Sequence, residues 1–371
     1  CLLMSSCNVV TEPPASSGAA DAGSKVTAST LFVNGGTDTP LKGASVVLKM
    51  GHCDANVSLL EYPWNCYSRV FKNSLEIYTN GEVTCQIFPA DQLGDLTSGL
   101  EQCVAGTLDV MASIPTGNFG VWESNISVFD IPYITSNLDV ANLVCQGPVF
   151  RELRDSISEK AGITLLSICA TAYRDLQSCK TPVKTPDDLY GMKFRTQQVG
   201  SHIAMAKAWG SIPSVVAWSE LYSAASTGVI DAFENPDYAV LQNSLFEVVK
   251  YYTQTRHLVN TIGVVINTER FNSLTDTQQE AVLRAADDAR RATLGTVAAN
   301  QLNTIGKLQA AGIEIIGLTA EERKAFKDAC YDEAKGVILD KVDPDFYQLF
   351  LDEYAKAEET LGITRASGAA D

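Results

Sequence analysis

The sequence predicts an α/β fold of two units, each a parallel sheet covered by helices, bridged by one long helix. Three observations predict it. The chain has 371 residues, too many for one ordinary core. From Ala44 to Met111 period-two apolar segments alternate with helically spaced ones, the strand–helix order of a parallel sheet. The alternation starts afresh near Ile163, after the chain has left the first unit.

Taken in order, residues 1–44 hold a polar stretch from Thr11 to Ser24, a short strand-like arm from Ala28 to Val33, and a Gly35-Gly36 turn. Ala44–Met50 reads as the first firm strand. Apolar positions at Tyr67, Val70, Phe71, Leu75 and Tyr78 have helical spacing, and Asn80-Gly81 stops that helix. Glu82–Phe88 alternates as a strand. Leu96–Gly106 reads as a helix, Thr107–Met111 as a strand, and Ala141–Ala161 as one helix.

In the second unit Ile163–Cys169 reads as a strand. A Thr-Pro turn region precedes the strand Met192–Arg195. Gly200–Trp209 is a helix ended by Gly210, Ser214–Val216 a strand, and Trp218–Thr227 a helix ended by Gly228. Val229–Phe233 leads into Asn235-Pro236. Val259–Asn267 is a strand. Thr275 and Gln278 have capping-box spacing and open the longest helix, to about Ala311, long enough to span both units. Ile313–Ile316 is the last strand. Thr319 with Glu322 caps another helix, and Phe346–Leu361 is the final one.

Apolar residues make up 46% and charged residues 19% of the chain, the balance of a folded globular protein. A net charge of −16 argues against nucleic acid, whose recognition needs basic faces, and against a polybasic membrane contact. Beyond the N-terminus no apolar run approaches the roughly 18 residues of a membrane helix. Cys1–Cys7 looks like the end of a signal peptide's apolar region. Met4-Ser5-Ser6-Cys7 resembles a bacterial lipobox, which predicts lipidation at Cys7 and a flexible polar tether after it. Eight cysteines remain if Cys1 is removed and Cys7 carries lipid. An even number suits an exported, disulfide-bearing chain, and Cys169 with Cys179 is the expected local pair. Cys53 with Cys66 and Cys85 with Cys103 are weaker candidates.

The chemistry expected of an enzyme is missing from the sequence. The three histidines, His52, His202 and His257, sit in no nucleophile-elbow or metalloprotease pattern. No phosphate-binding or dinucleotide fingerprint appears, so neither cofactor nor metal is expected. Arginines in apolar surroundings are more telling. Arg174 follows a buried strand and Arg195 ends another. A buried guanidinium needs an anionic partner, and its fork suits a carboxylate or sulfonate. The partner is either a ligand or an internal Asp or Glu.

Residues 187–255 resemble the signature region of the solute-binding proteins of TRAP transporters (tripartite ATP-independent periplasmic, DctP family). The matching phrases are Lys184–Arg195, Trp218–Tyr222, Thr227–Asp231 and Glu234-Asn235-Pro236. In the first unit Thr79-Asn80-Gly81, Ile87-Phe88-Pro89, Gln92-Leu93-Gly94, Leu100-Glu101-Gln102, Gly106–Asp109 and Phe129–Pro132 fit as well. The resemblance covers about residues 45–340. It implies a two-lobed periplasmic-binding-protein-like fold with an interdomain ligand cleft. Lobe I is then 45–171 plus 260–300, lobe II 172–259 plus 301–365, and 366–371 a tail.

It also implies site residues. Arg195 matches the arginine that clamps the ligand's acid group, and Arg174 a second arginine used by many members. Asn235 matches a hydrogen-bonding asparagine. Trp218 falls where an aromatic packs on the ligand, and Gln198 where an Asn contacts it in sialic-acid binders. Two departures mark the cleft: Thr196-Gln197-Gln198 replaces a segment that often carries Pro, and Phe233 stands where Gln is frequent. Trp218 and Phe233 either contact an apolar ligand body or simply pack. The implied function is extracytoplasmic binding of a small organic anion, a carboxylate or sulfonate, and delivery to a TRAP permease in the membrane, from the periplasm or outer face. The competing readings are a self-associating, filament-like assembly protein on the same fold, and a lipid-anchored sensor partner using the same pocket.

Overall fold

A computed structural model describes residues 37–56, 62–135 and 137–363. The candidate lipidation site Cys7, the tether, the arm at Ala28–Val33 and the tail 366–371 lie outside the described residues.

Val46–Gly51 (β1), Val83–Phe88 (β2) and Val110–Pro115 (β3) form the parallel start of the sheet, β1 lying between the other two. Pro63–Tyr78 (α1) connects β1 to β2, with Pro63 in the first turn, where a missing N–H is harmless. Leu96–Val104 (α2) connects β2 to β3 and is capped by Asp95. β3 begins three residues later than its expected position, because Gly106 holds a left-handed turn at φ 72° and Thr107–Asp109 complete it. Instead of one helix over 141–161 there are two, Leu138–Val144 (α3) and Pro148–Ala161 (α4). Gly147-Pro148 separates them, since proline cannot continue a helix but can start one.

Two strands are far longer than their sequence patterns indicate. Ile163–Ser178 (β4) and Tyr251–Asn267 (β8) run antiparallel through the middle of one sheet, nine-stranded among the described residues. Its order is β2-β1-β3-β8-β4-β7-β5-β6, with β9 also on β8. Here β5 is Lys193–Thr196, β6 Ile212–Val215, β7 Ala232–Asn235 and β9 Glu314–Gly317. Register shifts interrupt the β4–β8 ladder at Leu165/Ser167, Ala170/Ala172 and Arg174/Leu176. Bulges bend a strand and increase its twist. They also break the apolar pattern, so the sequence shows only the ends of these strands. Gly263 lies in β8 where an added Cβ would stand 2.7 Å from the Phe119 ring. Glycine permits that close approach.

The second lobe adds Gly200–Ala208 (α5), Leu221–Ser226 (α6) and Asp237–Gln242 (α7). Thr268–Asn272 (α8) and Asp276–Ala310 (α9) follow, then Ala320–Leu339 (α10) and Pro344–Thr360 (α11). Both expected capping boxes are present, Thr275/Gln278 on α9 and Thr319/Glu322 on α10. At 35 residues α9 is about 52 Å long. Its first half packs Ala281, Ala285 and Ala289 with Phe71 and Val264 of lobe I, and Leu308 packs with Phe233 and Tyr252 of lobe II.

Two expectations are corrected. The stretch 301–365 does not belong to lobe II as a whole. After α10 the chain turns at Pro344, and Phe346, Phe350, Tyr354 and Ala357 of α11 join the lobe I core with Phe129 and Val149. Cys169 and Cys179 cannot pair. They stand ten residues apart along β4 and its exit, roughly 30 Å at the rise of an extended chain. All eight cysteines among the described residues are free thiols, including those of the other two candidate pairs.

Candidate functional site

β5 lies between β6 and β7, parallel to both. Arg195 sits near its carboxyl end, the edge where open α/β sheets bind ligands. The side chain is oriented from one side only: Nε donates to the Val216 carbonyl at 2.9 Å. Nη1 is buried and has no acceptor among the described residues, and the residue is only 3% exposed. Burial pulls its pKa down to about 10; nearby Glu234 opposes that pull and Arg174 adds to it. A buried guanidinium without an anion on its outer edge is the costly arrangement noted above.

Arg174 on β4 is the opposite case. Its Nε pairs with Glu234, Nη1 donates to Asn260 Oδ1 at 2.7 Å, and Nη2 donates to Glu234 Oε1 at 2.9 Å, to the Glu234 carbonyl at 2.8 Å and to Asn235 Oδ1 at 3.0 Å. Its partner is therefore internal. Burial pushes the Glu234 carboxyl up, but Arg174 with His202 and His257 outweighs burial and holds it well below the usual carboxylate range. His202 Nδ1 lies 3.5 Å and His257 Nε2 3.7 Å from Glu234. His202 also reaches Asp130 at 3.3 Å. Burial lowers the His202 pKa, yet its two carboxylate neighbours leave it raised. Burial prevails for His257, whose pKa is lowered.

Arg195, Arg174, Asn235, Trp218 and Gln198 all line one cleft of about 330 Å³, within the span of small-ligand sites. Asn235 ends β7, and Pro236 then takes the N-cap position of α7. With its Oδ1 held by Arg174, the amide Nδ2 is buried without a partner among the described residues. Trp218 is half-buried and Gln198 exposed. Phe233 does not line the cleft. It is fully buried with Leu221, Tyr252 and Leu308, so its departure from the family pattern is packing.

Several lining residues escaped sequence reasoning. Trp64, Gln242, Asn260 and Asp54 belong to the wall. Asp54 carried a usable signal, since it follows β1 at a strand's carboxyl end. Gln242 Nε2 is a further buried donor without an acceptor among the described residues, and nothing in its local sequence marks it. Asn260 is legible only once β4 and β8 are seen side by side.

With this geometry in hand, likeness to known proteins is informative. Residues 60–336 match the model of the bacterial extracellular solute-binding protein family 7, DctP. The 2,3-diketo-L-gulonate-binding periplasmic protein of Escherichia coli is 30% identical over 74% of this chain and 83% of its own length. The C4-dicarboxylate-binding periplasmic protein of Rhodobacter capsulatus is 29% identical over 78% and 85%. Among solved structures, a TRAP periplasmic solute binding protein from Bordetella bronchispeptica superposes with a TM-score of 0.77 at 26% identity, covering 83% of this chain and 99% of that one. One from Roseobacter denitrificans with bound L-galactonate has a TM-score of 0.74 at 25% identity, covering 84% and 99%.

Proposed function

This chain belongs to the bacterial extracellular solute-binding proteins of family 7, DctP, and on that premise we propose that it captures a small organic anion in its cleft and delivers it to a TRAP-type secondary transporter. One observation carries the reading: Arg195 is buried in the cleft wall with Nη1 lacking an acceptor among the described residues. A ligand carboxylate supplies that acceptor. A charge-assisted hydrogen bond contributes about 1.5–3 kcal/mol, and the guanidinium fork can make two in parallel. The Asn235 amide adds a neutral donor, and Trp218 and Trp64 give apolar walls. Arg174 acts as a positioning residue, holding Asn235 through its Oδ1 while its own charge is balanced by Glu234.

Relatives named for sugar acids and for C4-dicarboxylates, and a solved relative with bound L-galactonate, support an organic acid as the ligand. The family is one of solute-binding proteins, which supports a chain that binds its ligand and does not convert it. The relatives' periplasmic naming puts its work on the extracytoplasmic side. No helix among the described residues is long and apolar enough to cross a membrane.

Capture follows from the topology. β4, β8 and α9 run through both lobes, and the irregular ladder at Ala170–Leu176 lets the lobes change their angle. The closed state excludes water from the Arg195–carboxylate pair and so strengthens it. Ligand therefore shifts the population toward closure by its higher affinity for that state. The test is a thermal-shift screen of organic acids against the intact protein and Arg195→Ala. Stabilisation of the intact protein and none of the variant is expected; equal stabilisation of both would refute the reading.

A further inference from the structure

We infer that Asp54 selects among organic acids, favouring a ligand whose second polar group is a hydrogen-bond donor, a hydroxyl or an ammonium, over a dicarboxylate. The inference rests on Arg195 anchoring one carboxylate and concerns what lies beyond it. Asp54 follows β1 in lobe I and lines the same cleft as Arg195 of lobe II. The residue is 4% exposed. Oδ2 accepts from the Trp64 N–H at 2.8 Å, and Oδ1 has the Cys53 thiol at 3.8 Å. No basic side chain among the described residues forms an ion pair with it. Burial raises its pKa to about 7; the backbone N–H groups of Trp64 and Asn65 and the Cys53 thiol oppose the rise, and Asp91 adds to it.

Among the described residues the cleft thus presents a cation without a paired anion on one lobe and a carboxyl without a paired cation on the other. The remaining charged groups in the wall are engaged: Arg174 pairs with Glu234, and the Asp95 carboxylate caps α2 through Ser98. A ligand carboxylate balances Arg195. A second ligand carboxylate would meet Asp54 as a like charge in a poorly hydrated space, which forces one of the two to take up a proton. A hydroxyl or ammonium at the same place donates to Oδ1 instead. An ammonium also balances the charge, so the two donor types separate by how much they depend on ionised Asp54.

Matched probes test this by calorimetric titration of the full chain. 4-Hydroxybutanoate, 4-aminobutanoate and succinate differ in the group at the far end, as do D-gluconate and D-glucarate. At about pH 8.5, above the raised Asp54 pKa of about 7, the intact protein is expected to prefer the donor-bearing member of a set by about tenfold or more, because each pH unit above that pKa makes neutralising Asp54 tenfold costlier. Asp54→Asn keeps the size and an acceptor for Trp64. It is expected to narrow or reverse that preference, with 4-aminobutanoate losing most if an ammonium is the favoured donor. A preference for the dicarboxylates in the intact protein, or a ratio unmoved by Asp54→Asn, overturns the inference. If Arg195→Met abolishes binding of every probe while the Asp54→Asn ratio is unmoved, only this inference fails. If Arg195→Met binds like the intact protein, the anchoring reading fails. No binding of any probe by the intact protein counts against both.

Discussion

Replacing Arg195 by Met separates a binding residue from a structural one by the sign of its effect. Methionine keeps the length of the side chain and removes the charge. A guanidinium held at about 10 instead of 12.5 is destabilised in the fold by roughly 3 kcal/mol at neutral pH. This penalty is fully present below pH 10 and disappears only as pH rises toward the unfolded value. The substitution also removes the donor to the Val216 carbonyl, a loss of about 1 kcal/mol. The net expectation is an unliganded variant more stable by about 1–2 kcal/mol, which in a chain of this size raises Tm by roughly 1–3 °C. Affinity should fall more than 100-fold, the loss of two charge-assisted bonds. Calorimetric melting without ligand, then with a ligand from the screen, reads both effects. A variant that melts lower than the intact protein and still binds would refute the reasoning, because Arg195 would then be stabilising the fold.

Other predictions follow from the same contacts. Glu234→Gln leaves Arg174 buried beside a neutral amide and should cost about 3–5 kcal/mol, read as a lower urea midpoint; an unchanged midpoint would mean that Asn260 and Asn235 suffice. Burial raises the Asp175 pKa from 3.8 to about 7, with the Arg256 N–H and the Tyr252 hydroxyl pulling the other way. The folded state therefore holds a proton that the unfolded state has lost between those values, and this group lowers stability as pH rises from about 4 to 7. Asp175→Asn should remove that component, up to about 1.4 kcal/mol per pH unit, visible as a flatter decline or steeper rise of Tm over that range. Gly263→Ala should cost about 1–3 kcal/mol by overpacking against Phe119, and Phe119→Leu in the same chain should recover part of the loss.

The parts of this molecule that were legible in the sequence are those governed by local chemistry. The capping boxes at Thr275 and Thr319 announce their helices because a side chain and a backbone N–H three residues away must meet. Glycines at 81 and 210 end helices for the same kind of local reason. The five cleft residues came from motif phrases and share one wall, although Arg174 turns inward to Glu234. What was hidden depends on partners distant in sequence. The bulges in the β4–β8 ladder interrupt the alternation of both strands, so neither strand shows its full length. Asp54 and Asn260 enter the cleft only when lobe I and the central strands come together. Cys169 and Cys179 look like a local pair until Cys169 is seen inside extended β4 and Cys179 just past its far end. The lobe I position of α11 depends on the turn at Pro344, which sends Phe346 and Phe350 back across the molecule.

A crystal structure of the intact protein with a bound acid from the screen tests the central claim most directly. The claim predicts a ligand carboxylate oxygen about 2.7–2.9 Å from Arg195 Nη1, with the Nε–Val216 bond unchanged. A carboxylate seated elsewhere in the cleft, with Nη1 still lacking an acceptor, would contradict it.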